Sequence, residues 1–136
     1  MMSGDGEMTS RAFVCPACGA AELKIVASLE LGADRMSDEI TVQAVACSSC
    51  GLLAAAVYEE SRRGSLDSDC WIHDGWRLPP ERVAELLALI RGCPRPSDSG
   101  CRCPAHAALG ARDETGRWVG LAGWAPGERF PLRWPE

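Results

Sequence analysis

Apolar side chains fall at alternate positions from Leu23 to Leu31. Leu23, Ile25, Ala27, Leu29 and Leu31 share one parity, and Lys24, Ser28 and Glu30 stand between them. A period of two is that of a strand with one buried face. Turn-forming residues follow in "GADRMSD", and Ile40, Val42, Ala44 and Ala46 then alternate up to "CSSCG". A third apolar run, "LLAAAVY", comes next, so the order reads strand, turn, strand, tight knuckle, strand.

The pattern changes after "EESRRGSLDSD", a polar Gly/Ser-containing stretch from Glu59 that marks a boundary. In "LPPERVAELLALIRG" the period becomes helical. Val83, Leu86, Leu87 and Ile90 occupy i, i+3, i+4 and i+7, prolines and Glu81 stand at the start, and Gly92 at the stop. "PAHAAL" predicts one or two further helical turns, and "RDETGRWVGL" a hairpin bending at Thr115-Gly116. The tail "GWAPGERFPLRWPE" reads as irregular, and the polar residues 1 to about 11 read as disordered. The expected fold class is therefore α+β: a β segment over 12–60, followed over 66–136 by a smaller α+β module. Six of the eight aromatic residues, including every tryptophan, lie after residue 70.

Composition changes this picture at one point. The 136 residues contain eight cysteines. The start "MMSGDGEMTSRAF" lacks the basic and apolar regions of a secretory signal, and no apolar run approaches the length of a membrane helix. A cytoplasmic chain keeps its thiols reduced, which favours metal ligation over a disulfide framework.

Cys15-Pro16-Ala17-Cys18-Gly19 and Cys47-Ser48-Ser49-Cys50-Gly51 are two C-x-x-C-G units, with 28 residues between Cys18 and Cys47. A two-residue gap points both sulfurs of a tight turn at one ion. The following glycine permits the positive φ that closes the turn. Over residues 13 to 58 this pattern resembles the zinc-ribbon family. The resemblance implies a β hairpin closed by a four-thiolate zinc site formed by Cys15, Cys18, Cys47 and Cys50. Such a site is structural, since four thiolates leave no open coordination position. "DRMSDEITVQAVAC" also resembles the acidic hairpin of the transcript-cleavage ribbons that enter RNA polymerase, matching at Arg35, Ser37, Asp38 and Glu39. In that family the paired carboxylates help to hold a catalytic Mg2+.

Cys93, Cys101, Cys103 and His106 form a second compact set, C-x7-C-x-C-x2-H. Their softness and number suit a zinc site of three thiolates and one imidazole, which makes two Zn2+ per chain. Cys70-x2-His73 is a competing pair with knuckle spacing, and an iron–sulfur cluster or thiol redox chemistry is a further alternative. No phosphate loop, G-x-S-x-G or H-E-x-x-H occurs, so the reading is non-enzymatic.

The formal net charge is −5, and the basic residues are scattered, Lys24 being the single lysine. Four thiolates on Zn2+ add two negative charges, and three with a neutral imidazole add one. That balance opposes binding to nucleic acid, which rests on neutralising phosphates. The expectation is a zinc-binding protein-interaction or adaptor module, presenting its third strand and the Trp124–Trp134 segment. The alternative is a nucleic-acid or polymerase-associated regulator acting through the ribbon.

Overall fold

The computed structural model describes residues 12–33, 38–61, 70–116, 118 and 128–135. Its strands are β1 (Leu23–Ala33), β2 (Asp38–Cys47), β3 (Leu53–Ser61), β4 (Cys70–Arg77) and β5 (Arg129–Pro131). They form one antiparallel sheet in the order β1-β2-β3-β4-β5. Two helices, α1 (Pro80–Arg91) and α2 (Pro104–Leu109), follow β4 in the chain.

The first three strands match the alternation in the sequence. The faces do not follow parity throughout, because β1 carries register shifts between Ile25 and Ala27 and between Glu30 and Gly32. One extra residue moves every later side chain to the opposite face. Leu23 and Leu29, of equal parity, accordingly enter different cores. Ile25 and Val26, at the first shift, are each 41% exposed.

On one face Leu29, Ile40, Val42, Ala44, Ala55 and Val57 pack against Val83, Leu86 and Ile90 of α1 and Ala105 and Leu109 of α2. The helical spacing does this: three positions along one stripe of α1 are buried. Burying each such side chain contributes roughly 2 kcal/mol before conformational entropy is subtracted. Gly92 ends α1 with its N–H on Ala88 O, at a φ of −80° that needs no glycine.

The opposite face is covered by chain ends. Phe13, Phe130 and Leu132 pack on Leu23, Val45, Ala54 and Ala56. Val14 N–H donates to Arg133 O (2.8 Å) and Leu132 N–H to His73 O (3.0 Å), joining the two ends over the sheet. Both faces of the sheet are thus covered at Val42–Val45 of β2 and Ala54–Val57 of β3, which accounts for the unbroken apolar run in β3.

Two features depart from the sequence reading. The segments 12–60 and 66–136 contribute strands to one continuous sheet, with β3 paired to β4 from Ala54–Arg77 to Ser61–Cys70. The third strand, expected as an exposed surface, lies at the centre: Ala54, Ala55, Ala56 and Val57 are buried. Alternation alone does not reveal whether a strand is an edge. "CWIHDGWR" has no clean period, which is why β4 was not legible. β5 lies in the tail read as irregular, and Trp124 lies outside the described residues.

Candidate metal centres

The first cluster closes where β1 begins and β2 ends. Cys15 N–H donates to Ala20 O (2.8 Å), and Cys47 N–H to Leu52 O (2.9 Å), so each knuckle is a closed loop. Gly19 and Gly51 take φ values of 80° and 83°, and their N–H groups return to Cys15 O and Cys47 O at 2.9 Å. This is the conformation for which glycine is suited. Strand pairing of Leu23 with Cys47 brings the knuckles together. Ser48 holds them there, its N–H on Glu22 O (3.1 Å) and its hydroxyl on Glu22 Oε1 (2.7 Å).

The Sγ atoms of Cys15 and Cys50 are 3.7 Å apart, as are those of Cys18 and Cys47. A tetrahedron with metal–sulfur bonds of about 2.3 Å has edges of about 3.8 Å. Cys15 and Cys47 are buried, and Cys18 and Cys50 are exposed.

The second cluster is assembled by the loop between α1 and α2. Cys93 follows α1, its N–H on Ile90 O (3.1 Å). The loop then folds back through Asp98 N–H on Arg95 O and Cys101 N–H on Asp98 O, both 3.0 Å. Cys103 is the N-cap of α2, and its sulfur accepts the His106 N–H at 3.4 Å. Cys93 Sγ lies 3.7 Å from Cys101 Sγ, and His106 Nδ1 lies 3.5 Å from Cys93 Sγ and 3.3 Å from Cys103 Sγ. A sulfur–nitrogen edge of a tetrahedral zinc site is about 3.5 Å. In each cluster the four ligand atoms all lie within 4.8 Å of one another.

This cluster is fastened to the outer edge of β1. Glu30 N–H donates to Pro96 O at 2.8 Å, and His106 Nε2 lies 2.9 Å from Glu30 O. An open strand edge is thereby covered. Gly32, with φ of 76°, sits so close to Ser99 that a β-carbon there would lie 2.8 Å from Ser99 Cβ.

Crowding splits the thiol acidities within each set. Cys47 is lowered to about 7: burial works against its thiolate, but the backbone N–H groups of Cys50 and Ser49 and the neighbouring thiols outweigh it. The N–H of Leu52 favours a Cys50 thiolate, yet desolvation and the thiols of Cys15, Cys47 and Cys18 push it up to about 12. Cys93 is raised to about 11, chiefly by burial. Cys103 is lowered to about 6, burial being overcome by hydrogen bonds from the His106 ring and N–H. Four thiols this close cannot all ionise unless a cation shares the charge.

No protein-family model, curated protein or solved structure matches the chain. The ribbon resemblance therefore rests on the cysteine spacing and on the four-cysteine group itself.

Of the competing pair, His73 belongs to neither cluster. His73 lies on β4 with Nε2 2.7 Å from Gln43 Oε1, and its ring meets Phe13 and Tyr58 edge-on. Cys70 is placed by its backbone opposite Ser61, at the start of the same strand. Of the acidic-tip motif, Arg35 and Ser37 lie outside the described residues, and Glu39 is exposed near the start of β2. The expected hairpin near Thr115 is present as an Arg112–Trp118 bridge with Gly116 at φ 87°. Among the described residues no helix is long and apolar enough to cross a membrane. Glu30, whose carbonyl orients His106, was not legible in the sequence, because a backbone acceptor leaves no residue signature.

Proposed function

We propose that this is a non-enzymatic zinc protein that holds two Zn2+ per chain, one on Cys15, Cys18, Cys47 and Cys50, the other on Cys93, Cys101, Cys103 and His106. The supporting observation is closure: each group supplies four soft donors at the edge lengths of a tetrahedron around one ion. Four protein ligands fill a zinc coordination shell and leave no position for substrate. A polynuclear iron–sulfur cluster spreads its terminal ligands over different irons and needs them further apart than a single ion does. The chemistry either ion supplies is cross-linking: it joins knuckles and loops that have little apolar core of their own.

In this reading the two ions hold a sheet platform that serves as a protein-interaction or adaptor module. Net charge of −5 favours a protein partner over nucleic acid. Trp134, 43% exposed and stacked on Phe13 with centroids 4.1 Å apart, is the aromatic anchor on offer. Metal analysis of the purified chain tests the proposal. Two zinc atoms per chain and no visible absorption are expected, with loss of folded structure on chelation. Iron, one zinc, or an unchanged fold after complete metal removal would each contradict it.

A further inference from the structure

We infer that the exposed end of the first centre is an oxidation site for hydrogen peroxide, closing into disulfides that cross between the two knuckles. This reading rests on the ligand set proposed above for Cys15, Cys18, Cys47 and Cys50.

The four sulfurs differ in where they face. Cys18 and Cys50 are exposed, and Cys15 and Cys47 are buried. Pro16, Ala17, Ser48 and Ser49 are exposed as well, so both knuckle tips are open to a small oxidant. Each outer sulfur has an inner neighbour on the opposite knuckle. Cys18 Sγ is 3.7 Å from Cys47 Sγ, and Cys50 Sγ is 3.7 Å from Cys15 Sγ.

A ligated thiol is held deprotonated, and the thiolate is the form that attacks peroxide. The Cys18 sulfur takes one oxygen of hydrogen peroxide, the O–O bond breaks, and hydroxide leaves. Cys18 is then a sulfenic acid. The Cys47 thiolate attacks that sulfur, the S–S bond forms, the S–O bond breaks, and a second hydroxide leaves. Two electrons pass from the sulfur pair to the peroxide, and the hydroxides take protons from solvent to become water. Cys50 and Cys15 repeat the sequence with a second peroxide. Displacement at sulfur is in line, so the attacking group stands opposite the departing oxygen. An oxygen added at an exposed sulfur lies toward solvent, and the buried sulfur across the knuckles is at its back.

Two disulfides leave no thiolate to hold an ion, so the centre empties. Its closure survives. The knuckles stay joined by the pairing of Leu23 with Cys47, by the two bonds of Ser48 to Glu22, and by covalent links in place of the ion. Four thiolates around Zn2+ carry two negative charges and two disulfides carry none, so this end of the sheet changes charge without opening.

The second centre is built differently. Cys93 and His106 are buried, and Cys101 and Cys103 are half-buried. Three sulfurs can form one disulfide and leave the third unpaired. Hydrogen bonds to both the N–H and the carbonyl of Glu30 fasten the cluster to β1. It keeps its ion while the first centre is oxidised.

The test treats the zinc-loaded full chain with a small excess of hydrogen peroxide, and a chromophoric chelator counts the zinc set free. Release of one zinc per chain is expected, with circular dichroism showing the sheet retained and a dithiol plus zinc restoring the starting state. The remaining thiols are then capped by alkylation in denaturant, and the chain is cut at Lys24. This single lysine lies between the two knuckles. Residues 1–24 and 25–136 should stay linked until reduced, with caps on Cys93, Cys101 and Cys103 and none on the four cysteines of the knuckles. Pieces that separate without reductant would show pairing within each knuckle and overturn the inference. So would release of both ions together, retention of both, or loss of the sheet on oxidation. Zinc is counted before peroxide is added, so failure of the metal assignment is seen separately from failure of the oxidation.

Discussion

His106 Nε2 lies 2.9 Å from the carbonyl oxygen of Glu30, 76 residues earlier in the chain. A carbonyl can only accept, so Nε2 carries the proton and Nδ1 keeps its lone pair. Nδ1 is the nitrogen that faces Cys93 and Cys103. The same bond fixes the tautomer, orients the ring and joins the second cluster to the edge of β1. A second partner of this kind is the usual support of a metal-binding histidine.

His106→Ala should reduce the zinc content from two per chain to one, leaving the Cys15–Cys50 site loaded. In the native protein, long-range 15N NMR of the imidazole should show a protonated Nε2 and a metal-bound Nδ1. Metal bound through Nε2 would contradict the assignment.

Cys103→Ser should likewise cost one zinc, because Cys103 both ligates and caps α2 through the His106 N–H. Cys70→Ser and His73→Gln should each keep two. Zinc counting across the three variants decides the ligand set. Loss of metal from the Cys70 variant, with retention in the Cys103 variant, would reverse it.

Gly75→Ala should destabilise the fold by about 1–3 kcal/mol with zinc content unchanged. A β-carbon at Gly75 would lie 2.5 Å from Phe130 Cζ and 2.8 Å from Cε2, so the ring that covers this part of the sheet must move. Denaturant unfolding of the zinc-loaded variant measures the effect, and wild-type stability would show that Phe130 does not seal this face.

His73 should titrate below its ordinary value of 6.5, since burial disfavours the imidazolium more than Asp74 favours it. Between the folded and unfolded values the unfolded chain binds more protons. The contribution of His73 to stability is therefore complete above pH 6.5 and is lost as pH falls through the lower folded value. The ring proton shift of His73 followed against pH checks the midpoint. The difference in stability between wild type and His73→Gln, which cancels acid competition for the thiolates, checks the sign.

Strand and helix periods, the two C-x-x-C-G knuckles and the C-x7-C-x-C-x2-H set were legible in sequence because they are local. A ligand turn needs only neighbouring residues, and an amphipathic helix shows its stripe in its own spacing. Tertiary structure decided what depended on distant parts of the chain. It placed β4 beside β3, so a presumed surface strand became the centre of a single sheet. The register shift between Ile25 and Ala27 in β1 sent Leu23 and Leu29 to different cores, although their parity is the same. It also turned His73 to Gln43 and His106 to the Glu30 carbonyl. Both histidines follow a cysteine at the same short spacing. What separates them is which backbone and side-chain acceptors the folded sheet brings within reach of each ring, and pairing between distant segments is not written in the spacing of either.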